Sequence, residues 1–133
     1  MDEWIAKSDL YISSARDLHD RGEYHLVAHA AYYACLLLMQ KIVRTDPEMT
    51  EAEMEQSART SGSHNFLINH VQYCLTKSES KETVLSAKDF SSQVRILKKL
   101  RTDSDYTTTT IFFGDSEKAL SIANELIILL KRL

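Results

Sequence analysis

Three glycines and one proline among 133 residues are about a quarter of ordinary usage. Sandwiches, barrels and propellers need a turn signal about every ten residues, so this scarcity excludes the β architectures, and it excludes a collagen-like chain. A dominant charge is lacking too. The net charge is −3 and the pI about 5.9, so no whole-molecule field draws the chain to nucleic acid or to an anionic membrane, and such binding must come from a local patch. Cysteine is sparse: Cys35 sits in an apolar stretch and Cys74 has no C-x-x-C neighbour, which reads as two reduced packing thiols and no disulfide. Long apolar runs are missing. The longest uncharged one, Ala30 to Met39, is about half a bilayer span, and MDEWIAKS lacks the basic start and apolar stretch of a signal peptide. A cytoplasmic protein that does not engage a membrane is the expectation.

Hydrophobic residues at 44% and charged residues at 26% are globular values and exclude wholesale disorder. At 15.2 kDa folding hides roughly 68% of the extended chain's surface, enough for one core. A single domain spanning 1–133 follows.

Apolar residues recur at helical spacing in five segments. The first, about Asp2 to Arg21, aligns Trp4, Tyr11, Ala15 and Leu18 beside Ile5 and Ile12, and Gly22 supplies its stop. The second, Glu23 to Arg44, is apolar nearly all round, as a helix at the centre of a bundle must be. A polar stretch with the only proline follows, and a mobile loop is expected at about 45–63, interrupted at most by a short helical turn where Thr50 and Glu53 have capping-box spacing. Ser63 can cap a third helix, His64 to about Lys77, with Leu67, Ile68, Val71 and Leu75 inward. After SESKE a fourth runs from about Val84 to Tyr106 on Phe90, Val94, Leu97 and Leu100. Beyond four threonines and IFFG, Asp115 or Ser116 caps a last helix carrying Ala119, Ile122, Ala123, Leu126, Ile127 and Leu130. Four long helices and a shorter one with brief connections predict an all-α, antiparallel up-and-down bundle.

Several constellations carry possible chemistry. RILKKLR gathers Arg95, Lys98, Lys99 and Arg101 against an acidic background, a phosphate-binding face or a solvated outer face. Arg101 and Asp105 are four apart, the spacing of a helix ion pair. His25 and His29 have a spacing that can put two imidazoles on one metal, but His19, His64 and His70 show no supporting motif, and no metal or other cofactor is expected. Ile111, Phe112 and Phe113 form an apolar cluster that soluble monomers rarely leave in water; they either close the bundle or meet a partner.

The string HAAYYACLLLMQK, the His64 that opens the third helix, LKKLRTDSDY at the end of the fourth and the final amphipathic helix together resemble the HEPN superfamily (higher eukaryotes and prokaryotes nucleotide-binding domain), in particular its small stand-alone prokaryotic members. The likeness runs from about Ser8 to Leu130. It implies a four- or five-helix bundle that often forms a homodimer through the face carrying the arginine motif. In ribonuclease members that motif is Arg, four to six residues, then His, and the chemistry is metal-independent: a ribose 2′-hydroxyl attacks the adjacent phosphate, the arginine stabilises the growing charge and the histidine handles protons. Other members are the toxin half of a toxin–antitoxin pair whose partner is a minimal nucleotidyltransferase, and there a tyrosine near the motif can be nucleotidylated.

Arg101 matches the motif arginine, but no histidine follows it, and Tyr106 stands at the shortest ribonuclease spacing. A phenol with its ordinary pKa near 10 is a poor proton shuttle at pH 7. The resemblance therefore implies RNA or nucleotide binding through Arg101, Asp105, Tyr106 and Lys98, with a ribonuclease only if a histidine comes from elsewhere. His64 is the candidate if the third and fourth helices run antiparallel. Arg59 and His64 also fit the formula, but in the wrong place. The other expectation is a non-catalytic module that holds a nucleotidyltransferase. Because no glycine or proline lies between Arg101 and Phe113, the fourth helix is expected to run on through Tyr106.

Overall fold

Asp2 starts the first helix by accepting hydrogen bonds from the amides of Trp4 and Ile5, two of the donors that a helix start leaves without partners. A computed structural model describes residues 2–133, apart from the side chains of residues 57, 58, 60 and 61. The described chain is an all-α bundle: α1 (Glu3–Asp20), α2 (Val27–Thr45), α3 (Glu51–Ser61), α4 (Ser63–Thr76), α5 (Lys81–Ser86), α6 (Phe90–Tyr106) and α7 (Phe113–Leu130). Single 3-10 turns, Tyr24–Leu26 and Ala87–Asp89, lead into α2 and α6. No strand occurs among the described residues.

The turn from α1 to α2 is set by Gly22 at φ +77°, a left-handed conformation that costs glycine little. Its amide reaches the His19 carbonyl while the Glu23 amide reaches Leu18, the pairing that closes a helix and reverses the chain. α1 and α2 are accordingly antiparallel. Asp2 meets Lys41 at 3.0 Å, and the buried Ser8 hydroxyl donates to the Ala34 carbonyl at 2.7 Å.

α2 packs against α1, α4, α6 and α7. Val27, Ala31, Tyr32, Cys35, Leu38, Met39 and Val43 are among its fully or almost fully buried residues. Together with the turn before it, it is long and apolar enough to cross a bilayer, but most of that length is covered by the other helices. Leu67, Ile68, Val71 and Leu75 of α4, Phe90, Val94 and Leu97 of α6, and Ala119, Ala123 and Leu126 of α7 complete the core.

The segment expected as a loop is largely helical. Tyr32 in the first half of α2 meets His64 at the start of α4, and Asp46 just beyond α2 meets His70, so α2 and α4 point the same way. The chain must therefore climb back by about 20 Å between them, and the eleven residues of α3 cover about 16 Å of it at helical rise. Thr50 caps α3 as its spacing predicts, accepting from the Glu53 amide at 3.1 Å, and Met54 packs on the core.

Three boundaries also differ from the sequence reading. The fourth segment is broken into α5 and α6, because Ser80 caps a short helix of its own. Ser63 lies inside α4, with Gly62 at the cap position. Asp115 is not the cap of α7: it lies one turn inside and reaches back to the Phe112 amide at 3.0 Å, which starts the helix early and puts Gly114 within it.

Phe90 is almost completely buried at the junction of the 3-10 turn and α6. Phe90→Ala is expected to lower unfolding stability by about 3–5 kcal/mol, whereas Leu85→Ala, at an exposed position, should stay within about 0.5 kcal/mol. Urea unfolding followed by circular dichroism measures both, and similar losses would contradict the packing described.

Candidate functional site

α6 ends at Tyr106, as the lack of a helix breaker predicts, and its last turns are finished by hydroxyls. Thr102, Ser104 and Thr107 donate to the carbonyls of Lys98, Leu100 and Asp103 at 2.9, 2.7 and 2.6 Å; the first two share carbonyls inside the helix ladder, and only the third fills one of the last four, which a helix end leaves without a ladder partner. The chain then leaves in an extended conformation at Thr107. Arg101 and Asp105 stand one turn apart on this helix, facing the beginning of α2 with His29, Tyr32 and Tyr33.

The Arg101 side chain is only 11% exposed. Its guanidinium carbon lies 5.9, 5.3 and 5.1 Å from the ring centres of Tyr32, Tyr33 and Tyr106, distances at which a cation is attracted by aromatic faces. One terminal nitrogen, Nη2, donates to the Tyr33 hydroxyl at 3.3 Å and to the Tyr106 hydroxyl at 3.1 Å. Its Nε is 3.0 Å from Asp105 Oδ2, but buried and without hydrogen-bond alignment. The contact is thus an ion pair more than a directed bond.

The same Asp105 oxygen lies 2.7 Å from His29 Nδ1. An ionised carboxylate can only accept, so Nδ1 carries the proton, and Nε2 is the ring nitrogen left to exchange one. The His29 side chain is 47% exposed and its ring lies against Tyr33 at 4.8 Å. One carboxylate therefore holds an arginine and a histidine from two helices.

His64 joins this group through Tyr32, its Nδ1 being 3.0 Å from the phenol oxygen. α4 and α6 run antiparallel, as expected. The start of α4 lies near Arg101 and Lys98, whose charges, after burial, help to lower the His64 pKa from its ordinary value. Burial pushes the Tyr32 hydroxyl up to about 12, against the opposing pull of Arg101. At neutral pH a protonated phenol thus faces a neutral imidazole. His64 makes no direct bond to Arg101; Tyr32 lies between them.

The other candidates fall elsewhere. Arg59 pairs with Glu55 at 2.7 Å on the exposed side of α3 and forms no site with His64. His25 and His29 do not converge on a common point: His25 lies in the 3-10 turn and accepts from the Ile111 amide at 3.4 Å, while His29 turns to Asp105. Lys99 pairs with Asp103. His19 is bonded to Ser116 and stacked near Phe113. Ile111 is buried and closes the bundle, whereas Phe112 and Phe113 remain exposed. His29, Tyr32 and Tyr33 were not singled out as partners of Arg101. The one local signal was that His29 and Tyr33 stand four apart, which stacks them on one face.

The unfolded chain protonates His64 at its ordinary value of 6.5 and the folded chain only at lower pH. Stability from a neutral His64 is therefore complete above pH 6.5 and is lost as pH falls through the folded value. His64→Gln, which keeps a partner for Tyr32, should flatten this dependence of the urea midpoint below pH 6.5; equal slopes in the two proteins would refute the assignment. Comparison of the chain with family models, with curated proteins and with solved structures finds no match.

Proposed function

We propose that this chain is a HEPN-type protein of a toxin–antitoxin or nucleotide-handling system, binding the phosphate of RNA or a nucleotide at Arg101 with Asp105, Tyr106 and Lys98 around it. The observation that carries this reading is the single Asp105 oxygen shared by Arg101 and His29. It holds a cation fit for a phosphate next to a group fit for moving protons. Of the two hydroxyls on Arg101 Nη2, that of Tyr106 belongs to the more exposed side chain. A phosphate oxygen replaces it there and receives a charge-assisted bond, the stronger kind.

Ribonuclease chemistry then draws its histidines from outside the arginine motif. A 2′-hydroxyl loses its proton to an imidazole and attacks the adjacent phosphate, forming the cyclic phosphate and releasing the 5′-oxygen, which takes up a proton. His29, with Nδ1 on Asp105, supplies Nε2 to take the 2′-hydroxyl proton, neutral His64 being the other base available, and the 5′-oxygen takes its proton from the imidazolium so formed or from water. Arg101 balances the charge growing on the phosphate. A homodimer that joins two such surfaces would present both sets to one strand.

A second reading is a non-catalytic module that partners a minimal nucleotidyltransferase. The exposure of Tyr106, 69%, beside Arg101 favours it, since the phenol is accessible for nucleotidyl transfer.

Fluorescence anisotropy with labelled single-stranded RNA tests the first reading. Arg101→Ala should weaken binding by about tenfold or more, in line with loss of a hydrogen bond to a charged group. His29→Ala should keep binding and slow any cleavage by about 10²–10⁴-fold. Unchanged binding in Arg101→Ala would overturn the phosphate assignment. Binding without cleavage in the wild type, with a mass shift on Tyr106 when a nucleotidyltransferase and ATP are supplied, would establish the second.

A further inference from the structure

Asp46 caps the end of α2, while His70 and Cys74 stand four residues apart on α4, one above the other. Their ligand atoms all lie within 4.8 Å of one another. His70 Nε2 is 2.7 Å from Asp46 Oδ2, and Cys74 Sγ is 3.9 Å from the same oxygen. The His70 and Asp46 side chains are each only 14% exposed, and the thiol is free and half-buried. This cluster lies some 17 positions along α2 from His29, about 25 Å at helical rise, and is independent of the Arg101 site.

We propose that Asp46, His70 and Cys74 bind one zinc-class transition-metal dication. One nitrogen, one oxygen and one sulfur from two helix segments are the donor types such an ion takes, and three protein ligands leave a fourth position open. The geometry needs little change. Around tetrahedral zinc the nitrogen and oxygen stand about 3.4 Å apart and the sulfur about 3.6 Å from either. The His70–Asp46 pair must open by about 0.7 Å, the Cys74–Asp46 pair close by about 0.3 Å, and the His70–Cys74 pair, within 4.8 Å, close by no more than about 1.2 Å, shifts within reach of side-chain rotation. The other Asp46 oxygen, Oδ1, already accepts from the Glu48 amide at 2.9 Å, which orients the carboxylate as outer-shell partners of metal ligands do.

Asp46, Glu48 and Cys74 line an open cleft of about 310 Å³, so an ion has an entry path, and water or Glu48 can fill the fourth position. Lys77 also lines it. Its ammonium, 4.0 Å from Glu48 and 4.5 Å over the Tyr73 ring, opposes a cation there, as does Lys41, which also lines the cleft but is paired with Asp2 at 3.0 Å. Binding exchanges the sulfur–hydrogen bond for a metal–sulfur bond and releases the thiol proton to solvent, and the proton that His70 Nε2 gives to Asp46 passes through solvent to Nδ1, leaving Nε2 free to bind the ion. Tying the end of α2 to α4, the ion acts as a structural staple.

The test uses the full chain without a histidine tag, stripped with chelator and titrated with cobalt(II), whose tetrahedral thiolate complexes absorb by sulfur-to-metal charge transfer. One equivalent should produce that band, and zinc should abolish it. Cys74→Ser should remove the band and Asp46→Asn or His70→Gln should weaken binding by tenfold or more, while Lys77→Gln should strengthen it. Cys35 cannot replace Cys74, being completely buried with its thiol pushed up to about 12. Zinc should also raise the melting temperature of the wild type and leave that of Cys74→Ser unmoved, a readout that holds if a variant is merely less stable. Absence of the band in the wild type, or its persistence in Cys74→Ser, would overturn the proposal.

Discussion

A helix apolar on every side has to be surrounded, and α2 imposes that demand on the whole chain. Its central residues stay out of water only if α1, α4, α6 and α7 all lie against it. Each neighbour has one apolar stripe, which fixes its rotation about its own axis. The polar ends of those neighbours are then delivered to defined places along α2. Arg101 and Asp105 on α6 arrive beside His29 and Tyr33, and His64 at the start of α4 arrives beside Tyr32. The candidate site is thus a product of core packing, with no loop needed to form it.

Burying a guanidinium is costly unless its charge and its donors find partners. Here the partners come from three tyrosine rings, two phenol hydroxyls and one carboxylate. The carboxylate is divided between Arg101 and His29, so Arg101 does not have its counter-charge to itself. A surface arginine in an ordinary i, i+4 pair, such as Arg59 with Glu55, has no comparable reason to hold one geometry.

The four long helices and the shorter one were legible, apart from the break between α5 and α6, because their apolar residues repeat at three and four positions, and the end of α6 because nothing in RTDSDY breaks a helix. α3 was hidden by its composition. Its polar residues suit a loop, and the need to climb back along α2 is a tertiary demand with no local signature. The role of Arg101 could be approached through its spacing to Asp105 and Tyr106. His29 could not, since it lies 76 positions from Asp105. The Asp46, His70 and Cys74 group shows the same limit: the two α4 members have helical spacing, but the carboxylate comes from 24 positions upstream of His70.

The hydroxyls that finish α6 have a further effect on shape. A glycine-closed helix, as at Gly22, turns the chain back on itself and covers its own last turn. Thr102, Ser104 and Thr107 bond back to carbonyls one turn earlier, the last of them at the helix end, without any such reversal, so the backbone departs straight at Thr107 and its next three residues stay in water. The chain returns to the bundle only at Ile111, whose amide meets His25. The outer side of Tyr106 is left uncovered, and the turn of helix that holds Arg101 ends as an open edge where a second molecule can meet it.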